Sequence, residues 1–256
     1  MSFAKKEFGQ HFLSNLGVIE KIVRLTEGVD LGQKKVLEIG PGRGALTEAL
    51  LNRGFCVTAC EIDKDMVEFL KEKFSKELAS GALTILHADF MTVEASDIPL
   101  LPVAVGNLPY NVGSQILFRF LEKLTNYQGF VFMLQKEVVE KFLGDPSQPK
   151  NYGPPSVKFH LLADLYEKFW VSPGSFTPPP RVDSGVLAFR RNEKQIDPHS
   201  AAYQRLSELL KLSFSQRRKK MRNTAKEWNL GNFEGSRPEE LLPTDFLEIA
   251  KQGKGS

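Results

Sequence analysis

The sequence predicts an α/β fold of the doubly wound, Rossmann-like kind followed by a small helical domain. Two observations carry that prediction. Over the first two thirds of the chain, short apolar runs alternate with amphipathic stretches, the pattern of a parallel sheet covered by helices. Near the end only helical periodicity remains, with Leu206, Leu210 and Phe214 recurring at four-residue intervals. A polar stretch, residues 191–200, reads as the linker, which sets the expected domains at 1–190 and 191–256.

Each element follows from its local pattern. Residues 36–39 form a first strand, ended by the glycine loop Gly40-Pro41-Gly42-Arg43-Gly44, and residues 45–53 a helix. Residues 55–62 are the second strand, 64–76 a helix, 83–87 the third strand and 103–106 the fourth. A helix over 114–124 and a fifth strand over 130–134 complete the doubly wound order. Residues 166–171 and 185–190 are β-like runs separated by a loop with three consecutive prolines, Pro178-Pro179-Pro180, which stiffen it because each fixes its own φ and restricts its predecessor. The final residues, 253–256, are expected to fray.

With 256 residues, 41% hydrophobic and 25% charged, the chain has ordinary globular composition and enough length for a substantial core. No apolar run approaches the roughly 18 to 20 residues of a membrane span, and the amino terminus lacks a hydrophobic signal region, so no membrane partner and a cytoplasmic location are expected. Cys56 and Cys60 share one strand with no further ligand at zinc spacing, which reads as two buried thiols and no metal site. The net charge is only +3, but it is unevenly placed: residues 205–226 carry eight bases and one acid. A run of that density suits phosphate binding, and Arg217, Arg218, Lys219, Lys220 and Arg222 are the candidate phosphate contacts, expected on one helix with Arg218 and Arg222 sharing a face.

The glycine loop follows a strand and opens a helix, the setting in which such loops bind nucleotides. Gly40 and Gly42 let a ligand approach the backbone, and Glu61, ending the second strand, can accept from both ribose hydroxyls. These features specify a nucleoside-containing cofactor but leave a dinucleotide and S-adenosylmethionine both open. Asp89 and Phe90 suit an acceptor for an adenine amino group beside an apolar wall, although an Asp after a strand is also a common turn or cap.

The most specific motif is Asn107-Leu108-Pro109-Tyr110, placed after the fourth strand at the open end of the sheet, where ligands of this architecture bind. The adenine amino nitrogen is a weak nucleophile because its lone pair is delocalised into the ring. An Asn side-chain oxygen and a proline-held backbone carbonyl can each accept one of its N–H bonds and favour a pyramidal nitrogen. Tyr110 can stack on the base and face a sulfonium.

Together these residues resemble the KsgA-type rRNA adenine dimethyltransferases. The resemblance runs through Phe8-Gly9-Gln10-His11-Phe12-Leu13, the loop at Gly40, Asn107-Leu108-Pro109-Tyr110, Gln135-Lys136-Glu137, Phe176-Thr177-Pro178-Pro179-Pro180-Arg181-Val182-Asp183-Ser184 and Gln216-Arg217-Arg218-Lys219-Lys220-Met221-Arg222, nearly the whole chain. It implies a class I S-adenosylmethionine-dependent methyltransferase domain with a small C-terminal helical domain. It further implies that Gln10, His11 and Leu13 contact the cofactor, that Glu61 takes the ribose, Asp89 the adenine and Asn107 the target amine, and that Phe176 lies against the target base opposite Tyr110. The substrate implied is two adjacent adenosines in the loop of the 3′-terminal hairpin of small-subunit rRNA, dimethylated on the immature small subunit by a monomer. Relatives often have Asn where this chain has His11.

Three other readings compete. An antibiotic-resistance methylase of large-subunit rRNA would more often show Asn-Ile-Pro-Tyr and lack the complete proline loop. A non-catalytic assembly factor would not need Glu61, Asp89 and Asn107 together. A nicotinamide dehydrogenase would account for the glycine loop alone.

Overall fold

The computed structural model describes residues 11–30 and 32–255. Gln10 lies outside them. By its internal contacts the chain separates into two units: Met1–Lys136 with Leu165–Arg191, and Glu137–Asp164 with Asn192–Ser256. One division falls between Arg191 and Asn192, and residues 137–164, read from sequence as part of the first domain, group with the helical residues. Helical segments there bury Phe142, Phe159 and Leu162, and the Phe142 and Phe159 rings lie 5.7 Å apart.

The first unit begins with β1 (Phe12–Leu13) and α1 (Leu16–Val29), a helix started by Asn15, whose side chain accepts from the N–H groups of Gly17 and Val18. β2 (Lys35–Ile39), α2 (Ala45–Asn52), β3 (Cys56–Glu61), α3 (Lys64–Lys73), α4 (Ser75–Ser80), β4 (Leu83–His87), β5 (Val103–Asn107), α5 (Gly113–Glu122) and β6 (Gly129–Gln135) follow. Beyond α6 (Lys136–Phe142) and α7 (Pro154–Leu162) come β7 (Ala163–Val171), β8 (Phe176–Thr177) and β9 (Ser184–Arg191). The strand order is β4-β3-β2-β5-β6-β9-β7, with β2 to β6 parallel and β9 antiparallel to β6. The reversed β9 makes this a mixed sheet.

Alternation along the central strands gives the sheet two apolar faces. Val131 and Met133 pack in a cluster with Ile22, Val23 and Val29 of α1. On the opposite face Phe120 of α5 lies 4.9 to 5.7 Å from the rings of Phe90, Tyr127, Phe130 and Phe132. Arg191, assigned from sequence to the linker, is instead buried, and its guanidinium donates to the carbonyls of Phe120, Leu121, Leu124 and Tyr127, capping the carboxyl end of α5. Cys60 is buried as expected, its thiol pushed up to about 12 by burial, whereas Cys56, the first residue of its strand, is exposed.

The second unit adds α8 (Ala201–Ser215), α9 (Met221–Thr224) and α10 (Pro243–Gln252). The basic run does not form the single helix expected. α8 ends at Ser215, and Arg217–Lys220 occupy a turn before α9, so Arg218 and Arg222 share no helix face. Four consecutive cations on one helix would repel across its turns, and the turn separates them. The tail expected to fray is held: Lys254 pairs with Glu208 at 2.7 Å, and Gly255 donates its N–H to Glu227. Among the described residues no helix is long and apolar enough to cross a membrane.

Candidate active site

Parallel strands in register bring their carboxyl ends together, and the residues just beyond those ends line one cavity of about 350 Å³, a size typical of small-molecule sites. Gly40 and Gly42 follow β2, Glu61 closes β3, Asp89 and Phe90 follow β4, and Asn107 closes β5 ahead of Leu108, Pro109 and Tyr110. All of these sequence-predicted residues line the cavity, and His11 and Leu13 join them from the amino-terminal segment.

The glycine loop adopts left-handed geometry at Gly40 (φ 67°) and Gly42 (φ 54°), which side chains rarely tolerate. A Cβ at Gly42 would also meet the Phe12 ring at 3.0 Å, so the amino-terminal segment packs directly on the loop. Glu61 is 5% exposed; one carboxylate oxygen accepts from the Gly42 N–H at 3.1 Å and the other from the Asp63 N–H at 2.9 Å. Burial raises its pKa and these bonds oppose the rise. Each oxygen keeps a lone pair for a second donor, the pattern a pair of ribose hydroxyls requires.

Glu38 also lines the cavity, and no sequence motif assigned it a role. Glu38, buried at 1% exposure, accepts from Thr47 Oγ1 at 2.6 Å, and desolvation, with Glu61's charge adding to it, lifts its pKa to about 7. Asp89 accepts from the Met91 N–H at 2.8 Å with one oxygen, an Asx turn that leaves the other for a ligand. Arg119 fixes that loop by donating to the carbonyls of Met91 and Val93, with its guanidinium 5.3 Å from the Phe90 ring. Its sequence signal was only a basic residue on an amphipathic helix.

Asn107 Nδ2 donates to the His11 carbonyl at 2.9 Å, which fixes the amide orientation and leaves Oδ1 as the acceptor. The Pro109 carbonyl already accepts from the N–H groups of Val112 and Gly113. Tyr110 is half-buried and its phenol hydrogen-bonds Ser184 Oγ at 2.9 Å; burial raises its pKa. The His11 ring lies 5.6 Å from the Tyr110 ring, and its Nδ1–H donates to the Pro178 carbonyl.

Phe176 occupies a different place. Its ring is 3% exposed in the core and it does not line the cavity. Its backbone pairs β8 with β1, setting Leu13 opposite Phe176 and Phe12 opposite Thr177. The residue thus orders the segment that carries His11. Of the basic candidates, Arg217 is engaged with Glu239 and the Pro149 carbonyl, while Arg218, Lys219, Lys220 and Arg222 are exposed.

The comparisons with known proteins agree with one another. Residues 1–236 match the ribosomal RNA adenine dimethylase family. The ribosomal RNA small subunit methyltransferase A of Pseudomonas syringae pv. tomato is 38% identical over 96% of this chain and 93% of its own. A dimethyladenosine transferase from Plasmodium falciparum superposes with a TM-score of 0.79 at 25% identity, covering 93% of this chain and 96% of that one. The 23S rRNA methyltransferase ErmE does so with 0.69, also at 25% identity, over 94% and 98%. The chain belongs to the ribosomal RNA adenine dimethylase family, and its fold is that of the class I S-adenosylmethionine-dependent methyltransferases.

Proposed function

We propose that this chain dimethylates the exocyclic amino groups of two adjacent adenosines in the loop of the 3′-terminal hairpin of small-subunit rRNA. It does so on the immature small subunit, as a monomer in the cytoplasm. The observation that carries the reading is the locked Asn107 amide, with Oδ1 as its remaining acceptor at the end of β5, in the same cavity as the nucleoside-binding carboxylate Glu61. The 38% identity to a small-subunit methyltransferase over 96% of the chain supports small-subunit rather than large-subunit rRNA.

S-adenosylmethionine supplies the electrophilic methyl group. Glu61 would accept from its ribose hydroxyls, Asp89 from its adenine amino group, and the turn at Gly40 would hold its methionine end. Asn107 Oδ1 and the Leu108 carbonyl accept the two N–H bonds of the target amine, holding its lone pair out of the ring plane, while Tyr110, braced by Ser184, stacks on the base. No charged base is needed before attack, because the amine proton becomes acidic only after alkylation. Arg218, Lys219, Lys220 and Arg222 bind phosphates, with the RNA recognised mainly by shape.

Transfer of tritiated methyl from S-adenosylmethionine to undermethylated small-subunit particles, followed by nucleoside analysis, tests the reading. The expected product is dimethyladenosine confined to small-subunit rRNA. Label in large-subunit rRNA, or cofactor binding without transfer, would refute it. Replacing the four exposed bases by Ala should make the salt dependence of RNA binding shallower by roughly 3, with cofactor affinity unchanged; an unaltered slope moves the RNA surface elsewhere.

A further inference from the structure

β7 is the edge strand of the large sheet, and it carries more exposed aromatic surface than an edge strand normally tolerates. Tyr166 is accounted for: its ring packs against Gly28 and under the Arg190 guanidinium, which itself donates to the Gly28 carbonyl. Phe169 is covered by Lys21 of α1, which also pairs with Glu167. Trp170 keeps nearly half of its surface in solvent. It is 46% exposed, and two ammonium groups stand over its ring, Lys136 Nζ at 5.5 Å and Lys168 Nζ at 5.8 Å. A lysine guarding an edge strand would explain Lys168, but an indole left 46% exposed on that edge invites the aggregation such guards prevent.

The position of this patch suggests its use. Lys136 Nζ lies 3.7 Å from the Asp183 carboxylate, and the Lys136 N–H donates to the Asp183 carbonyl. Asp183 precedes Ser184, whose hydroxyl holds Tyr110 at 2.9 Å on the cavity wall. Arg181 and Val182, in the same turn, are exposed. A half-exposed indole flanked by cations is thus linked, through Lys136, Asp183 and Ser184, to Tyr110 on the cavity wall. An indole for stacking beside ammonium groups for phosphates is the combination that binds unpaired nucleic acid without base readout.

We propose that Trp170, with Lys136 and Lys168, is a docking platform for the single-stranded rRNA that flanks the target adenosine. A neighbouring base stacks on the indole and its phosphates meet the two ammonium groups. The platform holds the loop open beside the cavity and thereby positions the target; it takes no part in the chemistry. This rests on the rRNA-adenine reading above.

The test compares wild type, Trp170→Ala, Trp170→Phe and Lys136→Ala/Lys168→Ala for binding to undermethylated small-subunit particles and to the deproteinised rRNA. Cofactor affinity and melting temperature serve as controls. Trp170→Ala is expected to weaken binding to both forms of RNA about tenfold, while Trp170→Phe, which keeps a stacking face, stays near wild type. The lysine pair should make the salt slope shallower by about 1.4. Wild type that neither binds nor methylates the particle overturns the functional reading and this inference together. Wild-type activity with undiminished RNA affinity in Trp170→Ala overturns the platform alone. Weakened binding to the particle with unaltered binding to free rRNA would assign the patch to a ribosomal protein and also refutes it.

Discussion

The half of the cavity carried by the sheet and the half carried by residues 11–13 are assembled over very different sequence distances. On the sheet side, Gly40, Glu61, Asp89 and Asn107 each stand at or just beyond the end of a strand, and the ladders align those ends, Ile39 opposite Cys60, Glu61 opposite His87 and Asn107 opposite Met133. Fully buried strand residues such as Leu37, Val105 and Phe132 leave that register no freedom. On the other side, a two-residue strand pairs with β8 more than 160 positions away, supplemented by the bonds from Asn107 to the His11 carbonyl and from His11 to Pro178. Each such bond contributes about 1 kcal/mol. The strand-end residues are therefore fixed by the core, whereas residues 11–13 are held by one short pairing and a handful of side-chain bonds, which separate at lower cost than a buried ladder.

Asn107 belongs to both halves, and its variants break the comparison most severely. Asn107→Ala should reduce methyl transfer by about two to three orders of magnitude, on the scale of a lost oxyanion donor, measured under single-turnover conditions with bound RNA. Asn107→Asp keeps an acceptor but cannot donate to His11, so it should lose less rate than Ala while weakening cofactor binding. Equal losses in rate and affinity for both variants would mean that the two roles are one.

Glu38 tests the rigid half through stability. Its pKa is raised from 4.5 to about 7, so folding takes up a proton between those values and stability falls as pH rises through that window. Glu38→Gln should remove a pH dependence on the order of 3 kcal/mol at most, read from urea unfolding at about pH 5 and about pH 8. A wild-type profile that is flat there would show that the carboxyl is hydrated.

Smaller effects sharpen the contrast. Glu61→Ala removes acceptors for both the ribose and the glycine loop, and cofactor affinity should fall by roughly 10- to 100-fold, as titration calorimetry would reveal. His11→Ala removes the ring contact with Tyr110 and the bond to Pro178 but keeps the backbone carbonyl that Asn107 uses. A loss of only about fivefold in cofactor affinity is expected. A loss as large as that of Glu61→Ala would place the main binding energy on the covering half.

The parallel sheet, the glycine loop, Glu61, Asp89 and the Asn107 motif are legible in the chain alone. Each depends on a strand and the few residues after it, and local periodicity with turn chemistry encodes both. Only the tertiary structure decided the rest. The Asn107 amide orientation came from a carbonyl 96 residues away, and the Ser184 brace on Tyr110 from 74 residues away. Phe176 lies in the core, on a strand whose partner is more than 160 positions away, and Arg191 changed from linker to helix cap because four carbonyls converge on it. Residues 137–164 joined the helical unit because its helices bury their aromatic side chains. Contacts between distant segments leave no periodicity in the chain, and so they become visible only when the sheet brings those segments together.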